Sequence, residues 1–399
     1  MKYLPQYGWK AHVLTLASVA PEVPRDDTMM EYIPNGTPVT RIAATDLDIV
    51  CNRLKGWHLG PLAWRLRRFV NGMLPPDRWL LLWLPQAYRE ARRILSKNPI
   101  DAIFTSSFPC TTHLVGYLLK KTTGKPWVAE FRDEWSQHPH RSWPKTWQGQ
   151  IDAWLERQVL LKADKVVAAT DAYVAGLASL VPPNMAQKFA TITNAFEDDN
   201  IAENSRQDKV KFIVAHVGFL YDGLSFLPVL EEILTEKKIP EREIEFRVVG
   251  KMEPLRFAPF NLAEFPLAAK VTRYTGWVPH AEALRHMAEA TVLLDVLGRH
   301  RGTATIAGKT FEYIASGRPI LAVVPPEGET ARVIKKTETG TVVEPQDRRA
   351  IKDTLLDMYV RWKAGVLDIK PNWREIQRYD ARILCQRLAQ LLDIVSRAL

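Results

Sequence analysis

Short apolar runs rich in β-branched residues alternate with stretches of helical periodicity along almost the whole chain. Strand-like runs lie at His12–Leu16, Ala102–Thr105, Trp127–Phe131, Lys165–Ala169 and Phe189–Thr193. Helical spacing separates them at Leu80–Ser96, Thr111–Lys121, Gln150–Lys162 and Ala172–Leu180. The series then restarts, with strands at Phe212–Val217, Glu245–Val249, Val271–Tyr274, Val292–Leu297, Ile320–Val324 and Thr341–Val343. Helices intervene again at Phe226–Lys237, Ala281–Ala290, Lys309–Ser316, Thr330–Lys336 and Ala350–Lys363, and a last helix, Trp373–Arg397, has no strand after it. Strands buried on both faces lack polar alternation, so such runs between helices predict parallel sheets.

Two series predict an α/β protein of two Rossmann-like, doubly wound parallel-sheet domains. The polar stretch EDDNIAENSRQD, from Glu197, has no apolar periodicity and is the expected linker. The predicted organisation is an N-terminal domain 1–196, a linker 197–209, a C-terminal domain 210–370, and a helix 371–399 packing back on the N-terminal domain. Ligands of such folds bind beyond the carboxyl ends of the strands, which predicts a cleft between two facing domains.

Composition narrows the class. The chain has 399 residues, 46% hydrophobic and 25% charged, which excludes a collagenous, mucin-like or disordered protein. Three scattered cysteines, Cys51, Cys110 and Cys385, imply no disulfide framework or zinc site. No apolar run reaches the 18 or so residues of a membrane span, and MKYLPQYGWK lacks a signal-peptide core. The expected location is the cytoplasm. The net charge of +9 is unevenly spread: Asn52–Pro99 holds ten basic and two acidic residues, +8 in all. It also holds Trp57, Trp64, Trp79 and Trp83 among bases such as Arg65, Arg67 and Arg68. Indoles mixed with cations suit an anionic lipid interface or a lipid-linked acceptor; a solvated helix pair is the alternative. No nucleic-acid motif accompanies the stretch.

Chemistry concentrates in GTATIAGKTFEYIASGRPILAVV, Gly302–Val324. Five residues separate Gly302 from Gly308, one more than a phosphate-binding P-loop allows. A helix starting near Gly308 would still offer unpaired N–H groups and a positive dipole end to a diphosphate, with Lys309 adding a full charge. Glu312, one turn on, is placed to accept ribose hydroxyls. In FRDEW, Asp133 is a candidate to orient an acceptor hydroxyl, with Arg132 holding a phosphate or Asp133; a surface ion pair is the alternative. The spacing of His138-Pro139-His140 is poor for metal, and no metal or cofactor is expected. His113 is expected to be a cap or core residue and His216 to be satisfied by backbone. Ser106 and Ser107 lack a GxSxG context and are expected to bind a group at a strand tip.

GKTFEYIASGRPIL resembles the donor-binding helix of GT-B-fold retaining glycosyltransferases of the family-4 type. In order along the chain, DAIFTSSFPCTTHLVGYLLKKTTGK with PWVAEFRDEW is similar to the family's acceptor-domain elements, and ITNAF to the entry of its linker. HVGFLYDG is similar to the first strand and turn of the donor domain, and YTGWVPH to the loop that packs on the nucleobase. The resemblance implies transfer of a sugar, with retention, from a nucleoside-diphosphate sugar to a glycan or lipid-linked acceptor on the cytoplasmic face of a membrane. It implies a nucleotide site at Gly218, Phe219, Tyr221, Gly276, Trp277, Val278, His280, Gly308, Lys309 and Glu312, with Asp133 and Arg132 as catalytic residues. It also likens Arg141–Gly149, with Trp143 and Trp147, to an aromatic lid.

Three departures stand out. The first Glu of the family's E-x7-E pair falls at Ala304. GFLYDGL, from Gly218, lacks the Arg and Lys that grip the diphosphate, leaving Lys309, Arg301 or Lys251 as substitutes. KYLPQYGWKAHVLTL aligns with the end of the family's first helix and its second strand, so the N-terminal domain is expected to lack its first βα unit. These departures keep two alternatives open: a homologue that binds nucleotide, glycan or a partner without turnover, and a nucleotide-sugar epimerase.

Overall fold

The computed structural model describes residues 1–17, 26–43, 76–77, 83–137, 146–197, 210–220, 225–252, 261–298 and 302–397. They form two compact units, Met1–Thr193 with Cys385–Leu399, and Asn194–Leu384.

The first unit contains β1 (Val13–Leu16), β2 (Val39–Ile42), α1 (Leu84–Lys97), β3 (Ile103–Ser106), α2 (Thr111–Thr123), β4 (Trp127–Phe131), α3 (Trp147–Lys162), β5 (Lys165–Ala168), α4 (Asp171–Ala178) and β6 (Phe189–Thr191). Every pairing is parallel. Strands β3, β4, β5 and β6 form one sheet in that order, and β1 pairs with β2 in another. The central strand β4 is buried at every position, which its apolar run, interrupted only by Glu130, foretells. Strand β2 was not expected, because VTRI is half exposed and carries an arginine.

The expected single N-terminal sheet is therefore two sheets. Their facing edges, β1 and β3, line a cavity of about 740 Å³ together with Trp83, Leu388 and Leu392. In a parallel ladder alternate residues bond to one neighbour. Val13 donates to Pro38 and Ile103 to Pro126, so the amides of Leu14 and Phe104 point the other way. These two amides are expected to exchange with deuterium far faster than those of Val13 and Ile103. Equal protection by NMR-detected exchange would contradict a split sheet.

The second unit contains β7 (Phe212–Leu220), α5 (Leu227–Thr235), β8 (Ile244–Met252), α6 (Pro266–Val271), β9 (Thr272–Gly276), α7 (His280–Glu289), β10 (Val292–Val296), α8 (Gly308–Ala315), β11 (Ile320–Val323), α9 (Glu329–Thr337), β12 (Gly340–Val343) and α10 (Arg348–Lys363). All six strands are parallel, in the order β12-β11-β10-β7-β8-β9. Alternate residues of β7 face opposite layers. Phe212 and Val214 pack with α5, α6 and α10, and Ile213, Ala215 and Val217 pack with α7, α8 and α9. Strand order reverses between β7 and β10, and the crevice beyond their carboxyl ends is where this architecture places ligands.

The long helix expected over Trp373–Arg397 is two, α11 (Trp373–Gln377) and α12 (Ala381–Arg397). The chain breaks because Phe196 bridges to it: Phe196 N donates to Tyr379 O, and Ala381 N donates to Phe196 O. Asp380 then accepts from the Arg382 amide at the start of α12. Further along α12, Asp393 accepts from the Trp9 indole at 2.9 Å, within the first unit.

Candidate functional site

The carboxyl end of β7 runs His216-Val217-Gly218-Phe219. Gly218 has φ +104° and Gly250, its partner on β8, φ +125°. A Cβ on Gly250 would lie 2.3 Å from the Gly218 carbonyl, so only glycine lets the two backbones approach. The Tyr313 hydroxyl, from α8, accepts from the Val217 amide at 2.8 Å and pins the strand end. Burial, with the Asp295 charge next, holds the Tyr313 phenol well above its ordinary pKa, so it stays neutral.

Helix α8 begins beside this strand end. Ala307 supplies no capping side chain, which leaves the helix N-terminus open. The Lys309 side chain, mostly buried, reaches back so that its ammonium lies 2.9 Å from His216 Nε2 and 4.0 Å from Asp295 Oδ1. His216 Nδ1 lies 3.0 Å from the Leu294 carbonyl on β10. His216 Nε2 also lies 3.1 Å from the Phe219 carbonyl, so the ring is wedged between two backbone carbonyls and the Lys309 ammonium. Burial, and secondarily the Lys309 charge, push the His216 pKa down to about 3, so the ring is neutral at pH 7. Asp295 is fully buried at the end of β10; its Oδ2 accepts from the Thr310 hydroxyl at 2.7 Å. Its Oδ1 has no hydrogen-bond partner among the described residues. The Lys309 ammonium is thus seated at the strand-order reversal, against a neutral imidazole and a buried carboxylate.

One turn along α8, Glu312 Oε1 lies 2.6 Å from His280 Nε2. This contact draws the loop after β9 against the donor helix. In that loop Gly276 has φ +73°, Trp277 is exposed, and Val278 is half-buried against the core. Glu312 therefore has one oxygen engaged already, where the sequence suggested both were open to hydroxyls; an ionised carboxylate keeps further acceptor sites.

Residues 2–195 match the family model described as a glycosyl transferase 4-like domain, and residues 211–360 match the model for glycosyl transferases group 1. The chain belongs to the group 1, or GT4, glycosyltransferases. This is a retaining family. Similar solved structures agree on the GT-B fold. Sucrose-phosphate synthase from Thermosynechococcus elongatus superposes with a TM-score of 0.66 at 16% identity, covering 100% of this chain and 92% of the other. Anabaena HepE in complex with UDP-glucose gives 0.59 at 14% identity, covering 92% and 88%. A glycosyltransferase from Rickettsia africae gives 0.54 at 13% identity, covering 97% and 98%. No curated protein matches the chain by sequence.

In the first unit of this glycosyltransferase, Arg132, read from the sequence as holding a phosphate or Asp133, pairs at 3.1 Å with Glu130. Glu130 also accepts from the Ser106 hydroxyl at 2.6 Å. Asp133 is half-buried beside Glu134, whose carboxyl is raised by burial and by the Asp133 charge. Glu130 escaped the sequence reading, although a lone acid inside the apolar run WVAEF was its signal. His113 is a core residue: the Trp127 indole donates to Thr105, Thr105 lies 2.9 Å from His113 Nδ1, and burial drives the His113 pKa down to about 3. Trp83 is buried, so its expected place at a lipid surface is corrected: it lines the cavity inside the unit. Tyr221, Arg301, Trp57, Trp64, Arg65, Arg67, Arg68, Trp79, His138 and His140 lie outside the described residues. So does most of the linker expected at 197–209.

Proposed function

We propose that this glycosyltransferase uses a UDP-sugar, held in the second unit at the carboxyl ends of β7 and β10. The observation that carries the reading is the seated Lys309 ammonium at the open N-terminus of α8, a charge and a dipole end of the right sign for a diphosphate. The Gly218–Gly250 approach supports it, because backbone without side chains lets phosphate oxygens come close. Glu312 takes the ribose, and Trp277 and Val278 take the base. HepE, whose structure contains UDP-glucose, supports uridine as the base.

The acceptor hydroxyl belongs to a glycan or lipid-linked glycan received by the first unit, with Asp133 orienting it and Arg132 countering phosphate charge. The basic, Trp-rich segment Asn52–Pro99 supports an anionic lipid-linked acceptor and a peripheral position on the cytoplasmic membrane face. Among the described residues no helix is long and apolar enough to cross a membrane. Catalysis in this reading is positioning plus stabilisation of the leaving diphosphate by Lys309 and the α8 amides.

Calorimetry with UDP, GDP, ADP and TDP tests the reading. UDP is expected to bind, and Glu312→Ala to weaken it by about 1–3 kcal/mol, the cost of losing hydrogen bonds to a carboxylate. No binding of any of the four nucleotides contradicts a donor site. UDP affinity unchanged in Glu312→Ala removes Glu312 from the ribose.

A further inference from the structure

Helix α3 buries its acids and exposes part of its apolar surface. Both of its acids face inward: Asp152, 1% exposed, accepts from the Trp135 indole at 2.9 Å, and Glu156, 0% exposed, accepts from the Ser136 amide at 3.2 Å and from its hydroxyl. Three of its large apolar side chains nevertheless face outward, while Val159 and Leu160 are buried. Trp147 is 52% exposed, Ile151 38% and Trp154 59%. Positions four and seven apart share one helix face, so these three form a continuous apolar stripe. With the carboxylates inside, the only charges α3 shows to solvent are positive, Arg157 and Lys162. The sequence leading into the helix, Gln137–Gln150, holds Arg141 and Lys145 and no acid.

We propose that this face of α3 docks on an anionic lipid bilayer, with Trp147, Ile151 and Trp154 in the interfacial layer. Indoles are favoured at headgroup depth, where the ring is apolar and its N–H is wetted. A helix lying in that plane needs one apolar face and flanking cations, and α3 has both. The charge argues for lipid over a protein partner: α3 itself exposes cations and no acid, and residues 1–193 include the +8 segment Asn52–Pro99. This inference does not depend on the donor site, since α3 belongs to the other unit.

Sedimentation with vesicles, of phosphatidylcholine alone or with added phosphatidylglycerol, tests it. The native chain is expected to pellet with the anionic vesicles. The double variant Trp147→Ser/Trp154→Ser is expected to bind them at least about tenfold more weakly, the scale for removing two interfacial side chains. Because both side chains are exposed, the melting temperature is expected to be unchanged, and that measurement separates lost docking from lost folding. Equal pelleting of variant and native protein overturns the proposal, as does failure of the native chain to pellet with anionic vesicles. Self-association of the native chain that the double variant abolishes also overturns it, by assigning the stripe to a second copy.

Discussion

Lys309→Ala is expected to lower kcat/KM for sugar transfer by about 10²–10³-fold, the usual loss when one preorganised donor to a developing charge is removed. The effect is large because the ammonium sits within a nearly closed group of side chains, not on a mobile stem in water. His216 Nε2 fixes it at 2.9 Å, and His216 is in turn set by the Leu294 carbonyl. The neutral imidazole orients the charge without cancelling it, and Asp295 lies 4.0 Å away. Lys309→Arg is expected to rescue only in part. The seat fits a compact ammonium 2.9 Å from His216 Nε2, and a planar guanidinium does not reproduce that point contact. Steady-state kinetics with a UDP-sugar donor checks both variants; a kcat/KM for Lys309→Ala within about threefold of native, well short of that range, removes Lys309 from the diphosphate.

The second large effect is acid destabilisation. His113 in the first unit and His216 in the second each have a folded pKa of about 3, against 6.5 for the free side chain. Between those values the unfolded chain binds a proton that the folded chain refuses, so unfolding gains as pH falls. The stabilisation is complete above pH 6.5 and is lost progressively on the way down to 3. At about 1.4 kcal/mol per pH unit, lowering the pH from 7 to 5 costs about 2 kcal/mol for each histidine. That is a large share of the stability of an ordinary domain. Urea unfolding at the two pH values measures the loss. In His113→Gln the pH slope of the first unit is expected to flatten while that of the second persists.

Much of the fold is legible because parallel strands buried on both faces are mostly apolar and lack polar alternation. Trp127–Phe131 and Val292–Val296 need no alternation to be found. What escaped has specific causes. Strand β2 is half exposed and short. Helix α3 carries its acids inside and two tryptophans outside, so periodicity finds the helix without revealing its buried face. The break at Asp380 comes from a pairing with Phe196, 184 residues earlier, which no local pattern records.

The candidate site divides in the same way. Lys309 and Glu312 are visible as polar residues opening a helix after a glycine. The groups that seat Lys309 are less visible: His216 and Asp295 are single polar residues near the ends of two apolar runs, HVGF and LLDV. A lone polar residue there is ordinarily satisfied by backbone, as His216 partly is. Only the strand order, which sets β7 beside β10, turns the two into one seat for a cation.

Hydrogen exchange with and without UDP tests most directly where the donor binds. Saturating UDP is expected to slow exchange at the amides of Gly218, Phe219, Gly308 and Lys309, around the strand-order reversal of the second unit. UDP binding that leaves those four amides unchanged, or protects only the first unit, contradicts the account.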